Sequence, residues 1–186
     1  MSALLLLESV ACLRGGRLLF ERLDLALEPG AAAIVTGANG AGKSSLLRIA
    51  AGLLRPSAGT AKHERAALAD ERAALDERRT LGSALCFWAA IGGTDPKAGI
   101  RAMGLTSLER VPVRVLSTGQ RKRASLARVV SSGAPLWLLD EPTNGLDEEG
   151  RALLAAAMSE HRADGGAILA ATHQSLGLDG AQVLAL

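Results

Sequence analysis

The sequence predicts an α/β fold in which a mixed core sheet lies between helices, beside an antiparallel β layer and a small helical subdomain. Three observations predict it. Over residues 4–27, apolar residues alternate with Glu, Arg and Asp, the pattern of half-buried strands. Short apolar runs such as Ala31-Ala32-Ala33-Ile34-Val35 and Leu136-Trp137-Leu138-Leu139 have the character of strands buried on both faces. Stretches with helical spacing separate such runs in the last third, an alternation that builds a parallel sheet sandwiched between helices. At 186 residues the chain falls within the span of about 100–200 expected of one domain. A single unit over 1–186 is therefore expected, with the helical subdomain inserted at 80–132.

Taken in order, the first two strands turn around Gly15-Gly16, and after Pro29-Gly30 the buried strand 31–35 leads into a glycine-rich loop. Residues 45–54 have helical spacing at Leu46, Leu47, Ile49, Ala50 and Leu53, with Pro56 as the expected stop. The stretch 61–79 reads two ways. Glu-Arg-Ala-Ala-Leu occurs at Glu64 and again at Glu71, which alone suggests a charged helix, whereas a strand and a loop fit the motifs on either side. Phe87, Trp88, Ile91, Ile100 and Met103 mark a helical insert over 80–105, punctuated by Gly92-Gly93 and Pro96. A basic helix at 120–130, strand 136–139, amphipathic helix 146–161 and strands 167–171 and 181–186 follow.

Composition excludes several classes. Hydrophobic residues are 48% of the chain, too many for a disordered, charge-dominated one. No apolar run approaches the about 20 residues of a membrane span, so work at a membrane would need another chain to carry it there. The start, Met-Ser-Ala, turns apolar at once without a basic leader, and a cytoplasmic location is expected. Cys12 and Cys86 lie far apart with no CxxC spacing and read as two ordinary buried thiols. A formal charge of +2 is too small to argue for nucleic acid as a partner, and none is expected.

The chemistry is concentrated in a few stations. Gly37-Ala38-Asn39-Gly40-Ala41-Gly42-Lys43-Ser44 fits GxxxxGK[ST] at every fixed position, between a predicted strand and a predicted helix. Glycines let backbone N–H groups converge on phosphates, and the helix that follows adds its positive N-terminus. Lys43 is expected to reach the β- and γ-phosphates and the Ser44 hydroxyl to ligate Mg²⁺, with Ser45 beside it in the same phosphate-binding set. The apolar strand 136–139 delivers Asp140 and Glu141 to the end of the sheet where ligands bind. Asp140 can hold magnesium through water, and Glu141 can polarise the water that attacks the γ-phosphate.

Leu116-Ser117-Thr118-Gly119-Gln120, opening the basic helix, resembles the signature element of the ABC ATPases. The stretch from Asp140 to Asp147 (DEPTNGLD) resembles that family's Walker B and D-loop, and Thr172-His173 its switch histidine. The chain thus resembles a P-loop NTPase of the ABC cassette type, which implies ATP and Mg²⁺ as cofactors. The resemblance further implies a homodimer of cassettes, with Ser117, Gly119 and Gln120 facing the nucleotide held by the other copy. It implies that His173 contacts the γ-phosphate and orients the water. Two stations depart from the family pattern. There is no Tyr, and Arg14 occupies the place of the adenine-stacking aromatic, where a guanidinium can also stack. Glu71 stands where a magnesium-linked glutamine is expected, and an exposed helix remains the competing reading there.

Residues 42–59 (GKSSLLRIAAGLLRPSAG), Phe87-Trp88, Val111-Pro112-Val113, 134–142 and Thr172-His173-Gln174 are similar to the haem-exporter ATPases of bacterial cytochrome c biogenesis. The short length and Arg14 suit that subfamily. The resemblance implies an integral-membrane CcmB-like permease as partner, with CcmC-, CcmD- and CcmE-like components. It also implies a peripheral position on the cytoplasmic face of the inner membrane, and hydrolysis tied to release of a haem-loaded chaperone. Cys12, Cys86, His63 and His161 have no haem-binding spacing. His63 and His161 match no motif and read as solvated loop residues. Soluble ABC ATPases acting on DNA or ribosomes fuse two cassettes or insert coiled coils, and this chain does neither. A cassette without hydrolysis is disfavoured by intact Glu141 and His173.

Overall fold

The computed structural model describes residues 3–70 and 74–186. Strands β1 (Leu5–Arg14) and β2 (Arg17–Leu27) form the expected antiparallel hairpin, and β4 (Ala58–His63) pairs antiparallel with the other edge of β1. Leu5 and Leu7 point inward and so do Val10 and Cys12, a change of phase by one residue. A bulge produces it: Ser9 has φ +50, its N–H donates to Asp24 Oδ1 at 2.7 Å, and both strand pairings shift register there.

The core sheet holds β3 (Ala32–Thr36), β5 (Ala66–Ala69), β6 (Leu136–Asp140), β7 (Ala167–Ala171) and β8 (Gln182–Ala185) in the order β5-β6-β7-β3-β8. Every pairing in it is parallel, so the mixed strand directions expected from the sequence are divided between two sheets. All residues of β6 and β7 are buried, as their apolar runs require. Leu136, Leu138, Ala167 and Leu169 face helix α1 (Lys43–Ala50) and the antiparallel layer. Trp137, Leu139, Ile168 and Ala170 face the other helices.

Of the stretch 61–79 that read two ways, β4 and β5 take up the part to Ala69, because small residues there find partners on β1 and β6 that outweigh local helix propensity. Helix α1 ends at Ala50, four residues before the expected 54. The stop is Gly52 rather than Pro56: with φ +70 it lets Leu53 N–H donate to Arg48 O at 2.8 Å and Gly52 N–H to Ile49 O at 3.0 Å, a Schellman cap.

The helical insert comprises α2 (Leu81–Gly92), α3 (Pro96–Ala102) and α4 (Thr118–Ser131). Arg128, buried on α4, donates to Leu68 O of β5 and lies 4.7 Å from the Trp88 ring on α2, tying the insert to the sheet. Cys12 is buried, but Cys86 is exposed, which corrects its reading as a core thiol. Leu81, Ala84, Leu85 and Ala89 form the inward stripe of α2, so residue 86 falls on the outer face.

His161 is not a solvated loop residue either. It lies in the last turn of α5 (Glu148–Ala163), stacked on Trp137 with ring centroids 3.9 Å apart and planes 10° from parallel. His63 ends β4 and is exposed. Burial holds the His161 imidazole below its ordinary value of 6.5, against weaker opposing effects of the backbone at Ala167 and Pro135 and of Asp164. Below about pH 6.5 the unfolded chain therefore takes up a proton at His161 that the folded chain refuses until lower pH. Stability is lost as pH falls through that window and is unaffected above it. His161→Phe keeps a stacked ring without titrating. Denaturant unfolding at pH 7.5 and pH 5 should show a smaller acid loss in that variant, and equal losses would show that His161 does not contribute.

Candidate active site

The site is built where the carboxyl ends of three adjacent strands meet, in the order β6, β7, β3. β3 runs into the loop 37–42, β6 ends at Asp140, and β7 leads into Thr172 and His173. Gly42 has φ +113, and a Cβ there would stand 3.0 Å from Phe20 Cδ1 and 3.1 Å from Leu19 Cβ, so a side chain at that point would be strained and would press on both neighbours. Helix α1 starts here with no side-chain cap and no acidic residue in its first turn, which leaves its N–H groups available to an anion.

Lys43 is mostly buried at 8% exposure. Its Nζ donates to Gly37 O at 2.7 Å and Ala38 O at 3.2 Å and lies 3.1 Å from His173 Nε2. An ammonium has three donors and no acceptor, so His173 accepts at Nε2 and carries its proton on Nδ1. Glu141 Oε1 stands 3.6 Å from the same Nε2, too far for a hydrogen bond. Lysine, histidine and carboxylate thus converge on one point from the start of α1 and the ends of β7 and β6.

Glu141 has φ +42, a left-handed conformation that costs an L-residue about 1–2 kcal/mol. Surrounding bonds impose it: its N–H donates to Ala171 O at 2.9 Å, and its carbonyl accepts from Asn144 N–H at 3.3 Å and from Lys122 Nζ at 2.9 Å. A cavity of about 300 Å³ opens beside it, bounded by Asn39, Gly40, Ser44, Ser45, Asp140 and Glu141. Ser44 and Asp140 are hard oxygen donors, suited to a magnesium ion that keeps waters and phosphate oxygens as its other ligands. Among the described residues no group of three or more His, Cys, Asp or Glu could hold a metal ion.

The 116–120 segment lies at the surface. Leu116 is buried and anchors it, while Ser117 and Thr118 are exposed. Ser117 caps α4, which starts at Thr118, two residues before the expected 120: its Oγ accepts from Gln120 N–H at 3.3 Å, and Gln120 Oε1 accepts from Ser117 N–H at 2.9 Å. Gln120 therefore shapes the helix end, and the N–H groups of Thr118 and Gly119 have no intrahelical partner. None of the residues lining the cavity beside Lys43 comes from this segment, while Thr118 borders the adjoining cavity that Asp140 and Glu141 share.

The structure thus brings together the 37–45 loop, Asp140, Glu141 and His173, and holds Ser117, Gly119 and Gln120 apart on α4. Arg14 is exposed at the end of β1, paired with Arg17 across the hairpin, and does not line the cavity. Leu19, from the facing strand, does. Glu71 lies outside the described residues; Asp70, just before it, borders an adjoining cavity shared with Asp140 and Glu141. Leu19 and Lys122 were not singled out from the sequence, since one is a term in a strand alternation and the other part of the basic run Arg121-Lys122-Arg123.

A glycine-rich loop between strand and helix, a strand ending in Asp140-Glu141 and an exposed LSTGQ helix end on one chain have the architecture of an ATP-binding cassette. The chain belongs to the ABC transporter family, whose model matches residues 20–144. It is 54% identical over 182 residues to the cytochrome c biogenesis ATP-binding export protein CcmA of Sphingopyxis alaskensis, covering 96% of this chain and 94% of the relative. The protein of the same name from Zymomonas mobilis is 48% identical, with 100% and 85% covered. Among solved structures, the ATP binding subunit of an ABC transporter shares the fold with a TM-score of 0.83 at 24% identity, over 91% of this chain and 79% of that one. The Clostridium perfringens protein cbiO1, part of the transporter complex cbiONQ, matches with a TM-score of 0.77 at 22% identity, covering 94% and 80%.

Proposed function

We propose that this chain is the ATP-hydrolysing subunit of a haem exporter of cytochrome c biogenesis, acting as a homodimer of cassettes beneath an integral-membrane permease. The observation that carries the hydrolytic part is the convergence of Lys43, Glu141 and His173 at one end of the core sheet. In this mechanism the N–H groups of the 37–42 loop and the N-terminus of α1 receive the phosphates, and Lys43 exchanges its loop carbonyls for phosphate oxygens. His173, released from Lys43 by the incoming γ-phosphate, turns its imidazole to that group. The Glu141 carboxylate polarises the attacking water. Ser44 and, through water, Asp140 would hold Mg²⁺, which when bound neutralises charge on the phosphate oxygens. Glu71 is proposed as a further carboxylate toward the ion, and Arg14 as a guanidinium that stacks on the adenine. Ser117 and the N–H of Gly119 reach the nucleotide of the other copy, with Gln120 keeping their turn in shape.

Among the described residues no helix is long and apolar enough to cross a membrane; the permease of this reading is a separate chain. An apolar groove of about 410 Å³ between β5 and α2 includes Leu68, Trp88 and Ile91, with Leu53 and Ile91 exposed at its edge. It suits a helix of a CcmB-like permease, with CcmC-, CcmD- and CcmE-like components in the same assembly on the cytoplasmic face of the inner membrane. No nucleic acid takes part. The relatives' names, carried at 48–54% identity over nearly the whole chain, support an export role in cytochrome c biogenesis over other ABC systems. In a bacterium lacking its own CcmA, the wild-type chain should restore c-type cytochromes, read by haem staining of denaturing gels. Restored ATPase activity in the membrane complex without cytochrome c would contradict the haem assignment and leave the ATPase reading intact.

A further inference from the structure

We propose that Lys122 is a positioning residue of the hydrolytic site, holding the backbone of Glu141 from the helix that bears the LSTGQ element; the inference rests on Glu141 as the water-polarising group. Glu141 departs from ordinary backbone geometry, with φ +42. Three hydrogen bonds fix its peptide groups. Two are backbone bonds, from its N–H to Ala171 O at 2.9 Å and from Asn144 N–H to its carbonyl at 3.3 Å. The third, 2.9 Å from Lys122 Nζ, is the shorter of the two reaching the carbonyl and comes from α4.

That origin gives the bond its consequence. Lys122 stands five residues after Ser117 on one continuous helix, about 7.5 Å along its axis. A helix of that length moves as a rigid piece, so a shift of the Ser117 end displaces the ammonium and with it the peptide that orients the Glu141 carboxylate. The bond gives α4 a direct mechanical hold on the carboxylate, without contact between α4 and the phosphates of its own chain. A charge-assisted bond to a carbonyl is strong enough for the task and short enough to be geometrically strict. Arginine keeps a charged donor at this place, whereas methionine keeps the length and apolar stem but donates nothing.

The test is steady-state ATPase kinetics of the full chain in its membrane complex. Lys122→Met should lower kcat about ten- to a hundredfold, as expected for a misplaced catalytic group, with KM for ATP within about twofold. Lys122→Arg should recover most of the lost kcat. Should Lys122→Met not assemble, Lys122→Gln is read by the same two constants. An unchanged kcat, or a raised KM at unchanged kcat, overturns the inference, because a merely structural or nucleotide-binding role predicts those patterns. Glu141→Gln assayed alongside separates the two readings. If it abolishes hydrolysis while Lys122→Met does not, only the role of Lys122 falls; if it hydrolyses normally, the assignment of Glu141 falls and Lys122 with it.

Discussion

Lys43→Ala is expected to abolish nucleotide binding at concentrations that saturate the unsubstituted chain. The ammonium is already mostly desolvated and oriented by Gly37 O, Ala38 O and His173 Nε2, so little reorganisation is needed when phosphate oxygens replace these acceptors. A unit charge pair about 4 Å apart contributes about 4 kcal/mol at an effective dielectric near 20. Even if half is offset by the acceptors Lys43 gives up, about 2 kcal/mol remains, a loss of about thirtyfold in affinity for each phosphate charge engaged. With the β- and γ-phosphates both in reach the losses compound. Isothermal calorimetry with ATP measures the effect, and undiminished affinity would contradict the phosphate-loop reading. Two loop carbonyls also lose their donor in this variant, so a thermal melt run in parallel shows that the fold survives.

Glu141→Gln is expected to leave ATP binding intact and to reduce hydrolysis by about 10²–10⁴-fold, the usual worth of a positioned general base. Glutamine is close to isosteric and keeps the backbone bonds to Ala171, Asn144 and Lys122, so the left-handed turn after β6 persists. The change removes the negative charge and the proton-accepting oxygen that faces His173. With chemistry blocked and binding retained, ATP should accumulate between two copies. Sedimentation of this variant with ATP should show a dimer, and with ADP a monomer. Hydrolysis at an unchanged rate in the membrane complex would show that another group activates the water.

Much of this site was legible in the residues because backbone requirements dictated their types. The 37–44 loop needs glycines to curl around phosphate, and the strand 136–140 needs apolar residues up to the carboxylates it presents, so spacing alone located both. The β layer was legible for the same reason, since alternation survives even the bulge at Ser9. What was not legible depends on partners distant in sequence. Whether 58–69 is helix or strand is decided by pairing with β1 and β6, and local propensity pointed the other way. His161 is half-buried because Trp137, 24 residues earlier, lies under its ring. The hold of Lys122 on Glu141 follows from the packing of α4 beside the end of β6, which no spacing records. The end of α1 was misplaced because a positive-φ glycine stops a helix as effectively as the proline that follows it.

Ser117 and Gly119 do not line the cavity beside Lys43, and the proposed function therefore needs a second copy to bring them to each nucleotide. Two copies joined by a flexible linker, both carrying Glu141→Gln, allow that need to be measured as the number of ATP molecules retained per joined pair. Lys43→Ala disables one phosphate loop and Gly119→Asp one helix end. Placed in opposite copies, these substitutions should leave one composite site and retain one ATP. Placed in the same copy they should spoil both sites and retain none. Retention of one ATP with both substitutions in the same copy, and none with them in opposite copies, would mean that each chain closes its own site, and would contradict the account.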